Sequence, residues 1–331
     1  MIVFVLFVIG FVLLVYGANF LVDGASSFAK KKGLSNVVIG LTIVAMGTST
    51  PELVVNVIAS MSGAHDVAMG NVLGSNIANI LLILGVSAAI FPLFVKVNHK
   101  FKKVPFALEV PIAIAGAIII GILANEHLIL NSGDSEISRI NGLVLIAFFL
   151  LYLFYSFKYA NHGSDEEVEV KDFPVWKSAV MIPVGIGAMA LGGHWIVDGA
   201  VEIAKIVGMS EALISLTIVA VGTSLPELAT SVTAALKKNP GIAVGNIVGS
   251  NIFNVFFILG TSATIMPIAF NPVMNFDIII AFLTTVLLFV FLFVGKRNVV
   301  ERWQGVVLVL LYVAYISFLV LQETGVINLG F

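Results

Sequence analysis

Long apolar runs alternate with short polar clusters along the whole chain. The runs fall at about 2–22, 36–62, 67–91, 105–124, 139–157, 175–197, 211–236, 241–267, 274–295 and 303–321. Each suits a helix crossing a ~30 Å hydrocarbon core, which takes about 20 residues. Membrane β-strands would be about 10 residues long with alternating polarity, and that alternation is absent. The first run lacks the basic leader and small-residue cleavage site of a signal peptide. Its sequence is echoed later, so it reads as a span. The pattern predicts an all-α polytopic membrane protein with ten transmembrane helices.

Composition agrees. Of 331 residues, 59% are hydrophobic and 11% charged, against about 25% charged in soluble domains. A water-soluble enzyme is excluded, and so is a nucleic-acid binder, since 17 Lys and Arg supply no basic face. The absence of cysteine removes disulfides and thiolate metal sites. The basic residues set the orientation. Lys30, Lys31 and Lys32, then Lys96, Lys100, Lys102 and Lys103, then Lys158, Lys171 and Lys177, then Lys237 and Lys238, then Lys296, Arg297 and Arg302 fall on one set of alternate loops. Only Arg139 and Lys205 fall on the other. The richer side is cytoplasmic, which places both termini outside a cell membrane. The acidic stretch 158–174 reads as a solvated linker, since it lacks the spaced ligands and turn glycine of a calcium loop.

An internal repeat divides the chain. Shifted by 175 residues, the sequence matches itself without gaps from Val22 to Pro92. Gly47-Thr48-Ser49-Thr50-Pro51-Glu52 falls on Gly222-Thr223-Ser224-Leu225-Pro226-Glu227. Gly70-Asn71 and Gly74-Ser75-Asn76-Ile77-Ala78-Asn79 fall on Gly245-Asn246 and Gly249-Ser250-Asn251-Ile252-Phe253-Asn254. The expected organisation is a first repeat over 1–157, the linker 158–174 and a second repeat over 175–331. Five spans per half is an odd number, so the halves enter from opposite sides. This is the inverted-topology repeat of secondary transporters, with its site near the midplane.

Glu52 and Glu227 are the only acids expected deep in the bilayer, where a charge costs several kcal/mol. No Lys or Arg lies at that depth, so they are either protonated or bind cations. Thr48 and Ser49 share a helix face with Glu52, and Pro51 loosens the turn before it. Thr223, Ser224 and Pro226 repeat this beside Glu227. Asn71, Ser75 and Asn79 form one stripe, and Asn246, Ser250 and Asn254 a second. For these amides and hydroxyls, hydrogen bonding between helices is the competing role, most of all for Asn71, Asn76, Asn246 and Asn251. The donor set is all oxygen, which suits hard cations such as calcium and not zinc, iron or copper. No nucleophile–base pair stands beside the acids, so no enzyme activity is expected. Asp23 and Asp198 read as capping or packing residues. Glu109 reads as a surface partner of Lys102 and Lys103.

The doubled Gly-Thr-Ser-x-Pro-Glu stretches, each followed by Gly-Asn-x-x-Gly-Ser-Asn, resemble the two α-repeats of sodium/calcium exchangers, in the calcium/cation antiporter superfamily. The likeness covers essentially the whole chain and points to the prokaryotic type without a large regulatory loop. It implies antiport of Na+ against Ca2+ by alternating access, three sodium ions per calcium, with no cofactor and no obligate protein partner. It also implies a core of spans 2, 3, 7 and 8, across which spans 1 and 6 slide. Glu52 and Glu227 would be the shared central ligands. Ser49, Ser75, Ser224 and Ser250 would join them at sodium sites. Ala45, Thr48, Ala220 and Thr223 would supply carbonyl or hydroxyl oxygen, and Asn79 and Asn254 would flank the centre. Some relatives carry aspartate at the position of Asn254, tied in potassium-dependent members to potassium use, so Asn254 favours potassium independence. Proton-coupled relatives usually carry Gly-Asn before the acid, so Gly-Thr-Ser disfavours proton coupling. A proton-coupled or potassium-dependent antiporter and a cation channel are the alternatives.

Overall fold

The first apolar run does not stop where its hydrophobicity does. In the computed structural model, which describes residues 2–94, 106–126, 136–158, 171–206 and 220–323, helix α1 spans Ile2–Lys32. At 1.5 Å per residue it is about 46 Å long, well beyond the hydrocarbon core. Its last turns bury Gly24, Ala25, Ser26, Ser27 and Ala29. Small residues that pack closely thus extend the helix past the end of the greasy run. The later run at 175–197 lengthens in the same way into Val175–Ile206.

After α1 come α2 (Asn36–Thr48) and α3 (Thr50–Met61), bent by 46° at their junction, then α4 (His65–Ile90). Helices α5 (Phe106–Ala124), α6 (Arg139–Lys158) and α7 (Val175–Ile206) follow. Next are α8 (Ala220–Gly222), α9 (Leu225–Leu236) and α10 (Pro240–Ile265), then α11 (Asn275–Phe291) and α12 (Arg302–Glu323). Among the described residues, seven helices are long and apolar enough to cross a membrane, or eight if the α2–α3 pair is one span. The shorter α5 is also apolar. Of the expected seventh span, 211–219 lies outside the described residues, and α8 with α9 form the rest.

Burial sorts these helices into a centre and a periphery. The most apolar windows of α10 and α4 are 94% and 72% buried, whereas those of α1, α6, α7, α11 and α12 are only 22–33% buried. Outer side chains such as Leu151, Leu310 and Phe154 are largely exposed, as a surface solvated by lipid requires. Helix α10 starts where its sequence directs. Asn239 caps it by accepting from the Ile242 amide at 3.2 Å, and Pro240 opens its first turn.

Helices α1 and α7 pack antiparallel and very closely. A Cβ on Gly17 would lie 2.8 Å from the Gly185 carbonyl, and one on Gly185 would lie 2.7 Å from the Gly17 carbonyl. Gly10 and Gly192 meet in the same way, at 2.8 and 2.6 Å. As the residue number rises along one helix it falls along the other. Only glycine allows this backbone approach. Two short antiparallel bridges tie the ends: Leu93–Phe94 to Val299–Val300, and Glu136–Ile137 to Ile268–Ala269. No strand is legible in the sequence at these places.

One peripheral expectation is narrowed and another changes. Asp23 is no cap, because α1 continues past it; it forms ion pairs with Lys171 at 2.9 Å and Lys237 at 2.7 Å. Asp198 pairs with His194 one turn earlier on an exposed face of α7. Glu109 is not a surface residue: it is buried in the first turn of α5, with Oε2 unpartnered among the described residues. Proximity to a loop in sequence did not place it at the surface, because its helix face turns inward. Lys102 and Lys103 lie outside the described residues, as does most of the linker. Of the linker's acids, Asp172 is described; Lys31, 2.6 Å away, holds its carboxyl below the usual range.

Candidate cation-binding site

The two acids sit where two helices break. Helix α2 ends at Thr48, and Ser49 adopts φ −84°, ψ 12° before α3 begins. Helix α8 ends at Gly222, and Ser224 adopts φ −88°, ψ 7° before α9. Pro51 and Pro226 occupy the opening turns of the new helices, where a missing amide proton costs little. Glu52 and Glu227 stand in those same first turns. The N-terminal end of a helix dipole favours a carboxylate there. Both acids are essentially sealed, at 2% and 1% exposure.

The breaks interlock. Ser49 Oγ donates to Glu227 Oε1 at 2.7 Å, and Ser224 Oγ to Glu52 Oε1 at 3.4 Å. Each acid is therefore held by the serine three residues ahead of the other. Ser49 Oγ is also 2.9 Å from Ser250 Oγ. The Thr48 hydroxyl lies 3.0 Å from Asn246 Oδ1 and 3.3 Å from the Ala45 carbonyl. That carbonyl also accepts from the Ser49 amide at 3.0 Å, so chain donors already engage it. Ser75 is buried on α4. Ala220 is helical.

The stripes on α4 and α10 meet across the centre. Asn79 Nδ2 donates to Asn251 Oδ1 at 2.9 Å, and Asn254 Nδ2 to Asn76 Oδ1 at 3.0 Å. Here the helices widen into π turns, Asn79–Leu84 and Phe253–Leu259, a distortion that often accompanies function. Asn71 and Asn246 play a different part from Asn79 and Asn254. Each donates to the backbone carbonyl of a glutamate, Glu52 at 3.3 Å and Glu227 at 3.4 Å. Their competing role, bonding between helices, is the one observed.

Sequence reasoning passed over Asn56 and Ser231. Asn71 Nδ2 donates to Asn56 Oδ1 at 2.5 Å, and Asn246 Nδ2 to Ser231 Oγ at 3.0 Å. Both lie one helical turn after a glutamate, 175 residues apart. The signal was present as a shared polar position, but the residue types differ, so matching by identity missed it.

The oxygens left over are informative. Glu52 Oε2, Glu227 Oε2, Asn79 Oδ1, Asn254 Oδ1 and Thr223 Oγ1 are buried and have no hydrogen-bond partner among the described residues. Buried polar atoms are rarely left unsatisfied. Here both acids, both central amides and a neighbouring hydroxyl share that state. Two carboxylate oxygens, two amide oxygens and a hydroxyl are the kinds of donor that hard cations take.

Known proteins resemble the chain over most of its length. The sequence pattern of the family described as "Sodium/calcium exchanger protein" matches residues 2–158 and 177–321. The chain is 32% identical over 350 residues to "Sodium/calcium exchanger MaX1" of Methanosarcina acetivorans, covering 96% of this chain and 98% of that one. It is 32% identical over 277 residues to "Inner membrane protein YrbG" of Escherichia coli K12, covering 81% of each. Among solved structures, the sodium-calcium exchanger NCX_Mj soaked with 2.5 mM Na+ and 0.1 mM Ca2+ superposes with a TM-score of 0.78 at 31% identity, covering 96% of this chain and 98% of that one. Both breaks lie within the matched segments. The chain belongs to the sodium/calcium exchanger family, whose members are multi-pass membrane transporters rather than enzymes.

Proposed function

We propose that the protein exchanges Na+ for Ca2+ across a cell membrane through one site shared by its two halves. The observation that carries this reading is the set of buried oxygens on Glu52, Glu227, Asn79 and Asn254 that have no partner among the described residues. The metal-binding set is Glu52, Glu227, Ser49, Ser224, Thr48, Thr223, Asn79, Asn254, Ser75 and Ser250, with the Ala45 and Ala220 carbonyls exposed in other stages of the cycle. The chain is organised as inverted five-helix repeats, 1–157 and 175–331, joined by 158–174. Ten spans place both termini outside. The reciprocal serine–glutamate and asparagine contacts, and the antiparallel α1–α7 pair, support that symmetry. Family membership and the names of the relatives support the ions.

Charge sets the coupling. Two carboxylates give the site −2, so bound calcium neutralises it and three sodium ions leave it at +1. Each cycle then moves one net positive charge in the sodium direction. Proteoliposomes loaded with sodium are expected to accumulate calcium from a sodium-free medium, and faster when the lumen is held positive. A pH gradient alone, or a potassium gradient alone, is expected to drive none. Uptake driven by protons without sodium would assign the chain to proton-coupled exchange. Calcium flux indifferent to any counter-ion would make it a channel.

A further inference from the structure

Asn76 and Asn251 face each other between α4 and α10. Asn76 Nδ2 donates to the Asn251 carbonyl at 3.4 Å, and Asn251 Nδ2 to the Asn76 carbonyl at 3.3 Å. These bonds engage one N–H of each amide and leave the Oδ1 atoms to accept from elsewhere. Each Oδ1 then accepts from the next asparagine of the opposite helix, Asn254 or Asn79. The Nδ2 groups of Asn79 and Asn254 are thereby fixed against α10 and α4. Their Oδ1 atoms are left buried and without a donor among the described residues.

An amide has two faces of opposite polarity. Its oxygen accepts, while its nitrogen carries two protons. A half-turn about the last torsion changes little in shape but presents hydrogens to a cation in place of a lone pair. The neighbouring acceptor therefore decides whether an asparagine can serve as a ligand. We infer that Asn76 and Asn251 are positioning residues that hold the Asn254 and Asn79 amides oxygen-first toward the transported cation, so that each half of the chain orients a ligand of the other. This rests on the exchanger reading. It adds to that reading the part played by two residues otherwise explained by packing alone.

Outer-shell partners of metal ligands typically contribute 10- to 100-fold to affinity. In N76A the Asn254 amide loses its acceptor. Calcium affinity of the purified protein, titrated in sodium-free detergent, is expected to fall about tenfold. In proteoliposomes the KM for calcium should rise by a similar factor with little change in maximal rate. The decisive comparison is N76A made in an N254D background and measured against N254D itself. Aspartate presents oxygen in either orientation, so there the loss is expected to shrink to within about twofold, the usual scatter of additive effects. N251A in an N79D background is the matching pair. An equal loss in both backgrounds, or failure of N76A to fold in both, assigns Asn76 to packing and overturns the inference. So does undiminished affinity in N76A alone. If the unaltered chain binds no calcium, the exchanger reading fails, and this inference with it.

Discussion

Replacing either central acid by glutamine is expected to stop calcium exchange. E52Q and E227Q each remove one of the two negative charges while keeping side-chain volume and an acceptor for the partner serine, Ser224 or Ser49. The fold should therefore survive. A doubly charged cation then meets a singly charged buried site with no other acid among the described residues to compensate. Breaking a buried charge pairing costs about 3–5 kcal/mol, and even the lower figure corresponds to more than roughly 100-fold in affinity. Sodium-driven calcium uptake should fall by at least that factor in each variant, as read by radioactive calcium entering sodium-loaded proteoliposomes. The two variants should be about equally defective, because the contacts around the two acids are reciprocal. Near-normal uptake in either one would remove that residue from the site.

The second large effect is steric. Gly249 precedes Ser250 on α10 and lies against α2. A Cβ there would stand 2.5 Å from the Leu41 carbonyl oxygen, 2.7 Å from Leu41 Cα and 2.8 Å from Ala45 Cβ. Two of these neighbours are backbone, which cannot rotate away. G249V should therefore push α2 from α10 at a cost of about 3 kcal/mol, the upper end of ordinary overpacking. The displacement would also separate Ser49 from Ser250, now 2.9 Å apart. Lower thermal stability in detergent and loss of exchange are expected together. Gly187, also helical, is exposed with nothing within 4 Å of its added Cβ. G187V should leave both properties unchanged. Normal stability and transport in G249V would show that the two helices do not need their present approach.

Much of this was legible in the chain itself. The apolar runs located the helices, because lipid imposes one length and one backbone solution on every span. Glu52 and Glu227 stood out because acids at that depth are costly without a purpose. The breaks followed from Pro51 and Pro226, and the shared stretches set those residues in register. Other features depended on contacts between distant segments. That Ser49 serves Glu227, and not Glu52 on its own helix, cannot be read from spacing along one helix. The π turns at Asn79 and Phe253 follow from packing and carry no local sequence mark. Burial of Glu109 and the ion pairs of Asp23 depend on which helix faces which. The full length of α1 escaped the hydropathy pattern because glycine, alanine and serine pack well without being strongly hydrophobic.

The central claim is that one cation is held jointly by acids from both halves. Its most direct test is diffraction from crystals soaked in strontium without sodium, recorded for the anomalous signal of this hard, oxygen-seeking stand-in for calcium. The account predicts a peak ligated by carboxylate oxygens of both Glu52 and Glu227. A peak ligated by only one of them, or no peak near either, would contradict it.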